Sequence, residues 1–256
     1  MTVAVDRTAL EGKVKSMYSD VAANPHGEFH FEMGRQMAER LGYAPADLDR
    51  IPQDAIDSFA GVGHFFHLAD LQPGERVVDL GSGSGMDSFI AALKVGPAGR
   101  VAGVDMTDAQ LAKATRLAQA HGFEAVTYRK AYIEDTGFAS ESCDCVISNG
   151  VINLAADKAR VFQEAGRLLK RGGRLAIADI VTELPLPENV VCNADLWAAC
   201  IGGAAQQQDY RTAIETAGLQ IERFDENVEY RFISERAQKA TARWGVKSVS
   251  ILARKL

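Results

Sequence analysis

The sequence predicts a Rossmann-like α/β fold, a mostly parallel sheet covered by helices on both faces, preceded by a helical cap over residues 1–70. Two textures and one turn predict it. The first 70 residues carry apolar positions at helical spacing and no strand signal. From Arg76 onward, short β runs alternate with amphipathic helices. The first of those runs ends in Gly81-Ser82-Gly83-Ser84-Gly85, a glycine-rich turn placed to open a helix.

In the cap, Leu10, Val14, Met17, Tyr18 and Val21 recur at helical spacing, as do Met33, Met37 and Leu41 before the stop residue Gly42. Pro45 and Pro52 sit where short helices can begin, because a first-turn residue needs no amide donor. The remaining residues, 71–256, form the second unit. Its predicted strands are 76–80, 100–105, 125–130, 143–149, 174–180, 219–224 and 248–254, with helices near 86–95, 108–121, 157–170, 208–217 and 233–244. The stretch 182–207 is too long for a plain connection and reads as a lid-like insertion over the site.

At 256 residues, 24% charged and 47% hydrophobic, the chain is long enough to bury its own core. A net charge of -6 argues against a surface that binds nucleic acid, which needs clustered Lys and Arg, and so favours a small-molecule partner. No run reaches the ~20 apolar residues of a membrane span. The first residues, MTVAVDRTAL, lack the basic start and apolar stretch of a secretory leader. The four cysteines, Cys143, Cys145, Cys192 and Cys200, form no CxxC pair, so no metal site is expected. Together these features predict a cytoplasmic protein with free thiols.

The chemistry concentrates around Val77-Val78-Asp79-Leu80 and the glycines that follow. Glycines let a ligand approach the backbone, and the helix start offers unpaired amides. A GxGxG turn with an acid just before it suits a nucleoside carrying an amino-acid tail better than a pyrophosphate. Asp105 ends the next strand, where a carboxylate either accepts both hydroxyls of a ribose or caps the helix that begins near Asp108.

The segments VVDLGSGSGMDSF, GVDMT, Ile133-Glu134-Asp135, VISNGVINL, DKARVFQEAGRLLKRGGRLAIADIV and ACIGGA together resemble the class I S-adenosylmethionine methyltransferases of the arsenite methyltransferase group. The resemblance runs from about Tyr18 through Tyr210 and includes GRQMAERLGY and SFAGVG in the cap. It implies a seven-stranded sheet whose last strand is antiparallel, and S-adenosylmethionine as cofactor. It places Asp79, Gly81, Gly83 and Gly85 along the methionine part, Asp105 and Met106 at the ribose, and Ile133 with Glu134 at the adenine. Asn149 closes the sulfonium side.

Two departures bear on the acceptor. Arsenic-methylating members have cysteine where this chain has Gly150, and a further cysteine in the N-terminal half; of the arsenic-binding thiols only Cys200 is matched. Soft trivalent arsenic needs two or three converging thiolates. Those enzymes also commonly carry an additional C-terminal domain, whereas this sequence ends just after its last predicted strand. The expectation is methyl transfer to another small molecule, with Gly150 making room on the acceptor side. Arsenite transfer at a degenerate site, or use of S-adenosylmethionine in a reaction other than methyl transfer, are the alternatives. His64, where the family pattern has a different sequence, is a candidate general base or a solvent-facing helix-start residue. Tyr18 matches a position near the cofactor, and His26 and His30 form a second acceptor-side candidate pair.

Overall fold

The structure is a computed structural model that describes residues 7–191 and 202–256. Five helices come first: α1 (Arg7–Ala23), α2 (Arg35–Leu41), α3 (Pro45–Leu48), α4 (Gln53–Asp57) and α5 (Phe66–Ala69). The punctuation residues act as their chemistry dictates. Gly42 ends α2 in the left-handed region at φ 106°, Pro45 is the first residue of α3, and Pro52 stands just ahead of α4.

The sheet contains β1 (Arg76–Leu80), β2 (Arg100–Asp105), β3 (Val126–Lys130), β4 (Cys143–Asn149), β5 (Leu169–Thr182), β6 (Ala205–Gln206), β7 (Leu219–Glu226) and β8 (Lys247–Lys255). Its spatial order is β3-β2-β1-β4-β5-β8-β7, with the two-residue β6 beside the end of β5. Strand β8 runs antiparallel to both of its neighbours, and the other pairings are parallel. Helices α6 (Met86–Val95), α7 (Asp108–Ala120), α8 (Lys158–Leu168), α9 (Glu188–Val191), α10 (Gln207–Thr216) and α11 (Glu235–Trp244) fill the connections. The seven predicted strands are the seven of the main path; β6 adds an eighth.

The period-2 alternation of each strand divides the core in two. In β5, Ala176, Ala178 and Ile180 face the cap, α6 and α7, while Leu175, Ile177 and Val181 face α8 and α10. The cap helices have no core of their own: Met37, Leu48, Ile56 and Phe65 join Phe89, Ile147 and Ala178 in one cluster. Burying an aliphatic or aromatic side chain of this kind contributes about 1.5 to 3 kcal/mol, so the cap is bound to the sheet by shared apolar surface.

One expectation about the connections is corrected. Strand β5 begins at Leu169 rather than 174, because a register shift opposite Cys143 and Cys145 of β4 lets the strand run through Gly172 and Gly173. The stretch 182–207, expected to be a lid-like insertion, opens with Thr182 still in β5, after which Glu183 and Leu184 donate amides to Trp244 O at 3.1 Å. Its described residues line no part of the cavity set out below, and 192–201 fall outside the described residues. Among the described residues no helix is long and apolar enough to cross a membrane.

Candidate functional site

A cavity of about 160 Å3 lies at the carboxyl ends of β1, β2 and β4, under the cap. The sheet side contributes Asp79, Gly81 to Ser84, Asp105 to Thr107, Ala131 to Glu134, Asn149 and Val151. From the cap come Leu10, Glu11, Val14 and Tyr18 of α1, and Ser58 to Gly61.

The glycine turn takes its shape from three left-handed residues, with φ 75° at Gly81, 52° at Gly83 and 94° at Gly85. Gly81 and Ser82 donate their amides to Val104 O at 2.7 and 2.9 Å, which fastens the turn to the end of β2. A Cβ on Gly81 would stand 2.5 Å from the methyls of Val151. One on Gly83 would meet only the Gln110 amide at 3.8 Å, so Gly83 is the open point of the cradle. Gly85 differs from expectation: it does not line the cavity, and its Cα faces the Tyr128 hydroxyl and Phe89. Its part is to set the entry of the chain into α6, where its φ of 94° is costly for other residues.

Both carboxylate oxygens of Asp105 are already engaged, Oδ2 accepting from Gly83 N at 3.0 Å and Oδ1 from Thr107 N at 2.8 Å. Asp105 therefore joins the two turns at the strand ends, and Thr107 stands at the N-cap of α7. Each oxygen keeps a second lone pair.

Among the described residues, five acids line the cavity (Glu11, Asp79, Asp87, Asp105 and Glu134) and no Lys or Arg does. Asp79 is buried, accepts from Ser88 Oγ at 2.6 Å, and is pushed up to about 8 by burial and then by the neighbouring Asp87. Burial also pushes Asp87 up to about 6, opposed by the hydrogen bond from Tyr43 OH at 2.6 Å and that from Asn149 Nδ2 at 3.0 Å. Asp105 is raised by burial too, against the bonds from Thr107 and Gly83. An enclosed cluster of carboxyls with elevated proton affinity is a seat for a cationic ligand.

Asn149 connects this cluster to the cap. Its Oδ1 accepts from Val62 N at 2.7 Å and Gly63 N at 3.3 Å, while its Nδ2 lies 3.0 Å from Gly63 O, Tyr43 OH and Asp87 Oδ2 alike.

Of the predicted site residues, the structure gathers Tyr18, Asp79, Gly81, Gly83, Asp105, Met106, Ile133, Glu134 and Asn149 around one cavity. His64 is not among them. Its ring stacks on His67 at 5.4 Å and meets Tyr43 edge-on at 4.7 Å. Burial, with His67 and Lys94 nearby, lowers it to about 4. Gly150 does not line this cavity. At φ 70°, a Cβ there would stand 3.1 Å from Val62 Cγ1, so Gly150 lets the cap pack closely against the end of β4. His26 pairs with Asp57 at 3.8 Å, outside the cavity. Cys143 and Cys145 are buried inside β4 with their thiols pushed up by burial, Cys143 to about 12. Cys192 and Cys200 lie outside the described residues.

Sequence reasoning missed Asp87, Tyr43, Glu11 and Tyr132. Asp87 had a legible signal, an acid in the first turn of the helix opened by the glycines. The other three reach the site only by tertiary packing: Tyr132 OH donates to Glu11 Oε2 at 2.9 Å, which closes α1 onto the segment after β3.

A family model described as "Methyltransferase domain" matches residues 71–218. The arsenite methyltransferase of Halobacterium salinarum is 40% identical over 196 residues, covering 75% of this chain and 50% of that protein. The human arsenite methyltransferase is 42% identical over 152 residues, covering 56% and 40%. The chain thus spans about half the length or less of these curated relatives. Among solved structures, an arsenic(III) S-adenosylmethionine methyltransferase from Chlamydomonas reinhardtii superposes with a TM-score of 0.65 at 30% identity, covering 87% of this chain and 74% of that one. The geranyl diphosphate C-methyltransferase of Streptomyces coelicolor A3(2), solved with S-adenosyl-L-homocysteine, shares the fold at a TM-score of 0.69 and 17% identity, covering 99% and 100%. With a family match over more than half its length and a Rossmann-like sheet of the same architecture, the chain belongs to the methyltransferase domain family, whose cofactor is S-adenosylmethionine.

Proposed function

We propose that the chain transfers a methyl group from S-adenosylmethionine to a small-molecule acceptor. The observation that carries this reading is the charge of the cavity, where among the described residues five acids and no basic side chain stand beside a glycine cradle. S-adenosylmethionine bears a sulfonium and an ammonium against one carboxylate, so its net charge complements such a lining. When bound, it supplies a methyl whose bond to sulfur breaks as an acceptor lone pair bonds to the carbon, giving S-adenosylhomocysteine and releasing the acceptor's proton to solvent.

The chain's own residues bind, orient and exclude water. Gly81 and Gly83 admit the methionine part, Asp79 and Asp87 face its cationic groups, Asp105 and Met106 hold the ribose, and Ile133 with Glu134 border the adenine. Asn149, held by the Val62 and Gly63 amides, marks the sulfonium end together with Ala60 and Gly61. Leu10, Val14 and Phe59 form an apolar wall. A water-poor surround favours a step in which a localised positive charge disperses, and fixed orientation lowers the barrier further.

Among the described residues no cysteine lines the cavity, which supports an acceptor not held by thiolates; Cys192 and Cys200 lie outside those residues. The relatives named above favour a second reading, arsenite as acceptor, which would rest on Cys200 and Cys192. Calorimetry with S-adenosylmethionine, followed by mass spectrometry of products with arsenite and with organic acceptors, separates the readings. Absence of S-adenosylmethionine binding would overturn the function altogether. Methylated arsenic lost on Cys200→Ser would install the second reading. Binding of S-adenosylmethionine with no S-adenosylhomocysteine formed from any acceptor would point to its use in another reaction.

A further inference from the structure

Beside the acidic cavity lies a second, smaller pocket that shares two of its lining residues, Tyr18 and Ala60. The rest of its wall includes His30 and Phe31 from the segment after α1, and Tyr230 and Phe232 from the segment after β7. Ala60 precedes Gly61, where a Cβ would stand 2.7 Å from the Asn149 side chain, so the small pocket adjoins the same end of the cavity as Asn149. In this structure its rings close on one another and leave about 10 Å3.

Three of the rings form a face-parallel ladder, and two more meet edge-on. Tyr18 and Phe31 lie 6.4 Å apart at 16°, Phe31 and Phe29 5.6 Å apart at 19°, and Tyr230 meets Phe232 at 5.0 Å and 89°. All five are half-buried, in a chain that removes Phe65, Phe89 and Phe162 from solvent completely. Contiguous half-exposed aromatic surface next to a ligand cavity, with few polar groups at its rim, has the character of a binding site. His30 and Arg231 supply those polar groups.

The Ala60 side and the wall carrying Tyr230 and Phe232 share one base. Ser248 Oγ donates to Val62 O at 2.5 Å and Ser250 Oγ to Asn227 Oδ1 at 2.9 Å, while Asn227 N donates to Ser248 O at 2.9 Å. The 60–63 segment and the arm that carries Tyr230 and Phe232 are therefore both bonded to β8.

We propose that this aromatic pocket seats the acceptor and selects a planar aromatic small molecule, which enters by extending the ladder between Tyr18 and Phe31. The proposal rests on the methyl-transfer reading, because it takes the Asn149 end of the cavity as the sulfonium end. A flat π system gains from both parallel faces, with Tyr230 and Phe232 adding aromatic surface to the same pocket, whereas a puckered aliphatic ring of equal size fills the slot poorly.

The test uses 2-naphthol and its saturated counterpart decahydro-2-naphthol as probes against the full chain saturated with S-adenosylhomocysteine. Binding is read by ligand-observed NMR and calorimetry. The expected result is binding of 2-naphthol roughly tenfold tighter than that of the saturated ring, and a similar weakening for 2-naphthol in Phe31→Leu and in Phe232→Leu. The affinity of both variants for S-adenosylhomocysteine should be unchanged, which also shows that they fold. Equal binding of the two probes, undiminished binding of 2-naphthol in both variants, or no binding of 2-naphthol to a chain that does bind S-adenosylhomocysteine would overturn the proposal. Failure of the wild-type chain to bind S-adenosylhomocysteine would overturn the methyl-transfer reading, and this one with it.

Discussion

The Asn149 carboxamide nitrogen lies 3.0 Å from Asp87 Oδ2, so the end of β4 is bonded to the first turn of the helix that the glycine turn opens. The same side chain receives two amides of the cap. One asparagine thus holds together the sheet, the turn and the lid of the cavity.

Asn149→Ala should therefore cost more stability than a typical polar substitution. It leaves the Val62 amide without its partner and the Asp87 carboxyl with only the bond from Tyr43 OH, and an unsatisfied buried group costs about 1 to 3 kcal/mol. Urea denaturation should show a loss of about 2 kcal/mol or more. A change under 0.5 kcal/mol would mean that the cap is held by apolar packing alone.

The carboxyls of Asp79 and Asp87, at about 8 and about 6, stand above the ordinary Asp value. The folded chain therefore binds protons that the unfolded chain has released. Their contribution to stability is complete below about pH 4 and is lost as pH rises toward 8. A bound cation reverses this preference by favouring the ionised forms. The rise in melting temperature produced by S-adenosylmethionine should grow between pH 5 and 8.5, and Asp87→Asn should flatten that trend. A ligand-induced rise that shrinks with pH would remove these acids from the cation's seat.

Asp105→Asn keeps the shape of the side chain but removes its charge and one acceptor. Hydrogen bonds to charged groups contribute about 1.5 to 3 kcal/mol, so calorimetry should show S-adenosylmethionine binding weakened by roughly 10- to 150-fold. A moderate loss of thermal stability should accompany it, since Gly83 and Thr107 donate to the same carboxylate. Unchanged affinity would confine Asp105 to holding the two turns.

Gly150→Cys restores the residue that arsenic-methylating relatives carry, and it should not create an arsenic site. A side chain at φ 70° costs about 1 to 2 kcal/mol, and its Cβ would press on Val62. Lowered stability with no gain in arsenite affinity is expected. A clear gain in affinity would show that the backbone here readjusts toward the cavity.

The sheet and much of the cofactor cradle were legible because their signals are local. Short Val- and Leu-rich runs mark β1 and β2, which are buried on both faces, and Asp79, Gly81, Gly83 and Asp105 sit at strand ends where the chain itself forces a turn. Other features depend on distant segments. The fifth predicted strand starts at 174, yet the bulge opposite Cys143 and Cys145 carries β5 back through Gly172 and Gly173 to Leu169. His64 reads either as a base or as a solvent-facing helix-start residue, and its packing on Tyr43 depends on rings from separate stretches of the cap, Phe59 and Phe66 among them. Tyr43 itself, following an ordinary helix stop, gave no sign that its hydroxyl would reach Asp87, 44 positions later.

The insertion of β8 between β5 and β7 also governs assembly. During synthesis β7 emerges before the strand that will be its sole sheet neighbour, and the mature edge of β5 stays bare until residues 247–255 arrive. An exposed edge of that kind, carrying Ile177 and Ile180, invites pairing with another nascent chain. Closure also demands contacts far apart in sequence, which are slow to form. The step that completes the sheet is thus the one most exposed to aggregation, and refolding yield should respond to changes in β8 more steeply than to changes in β3.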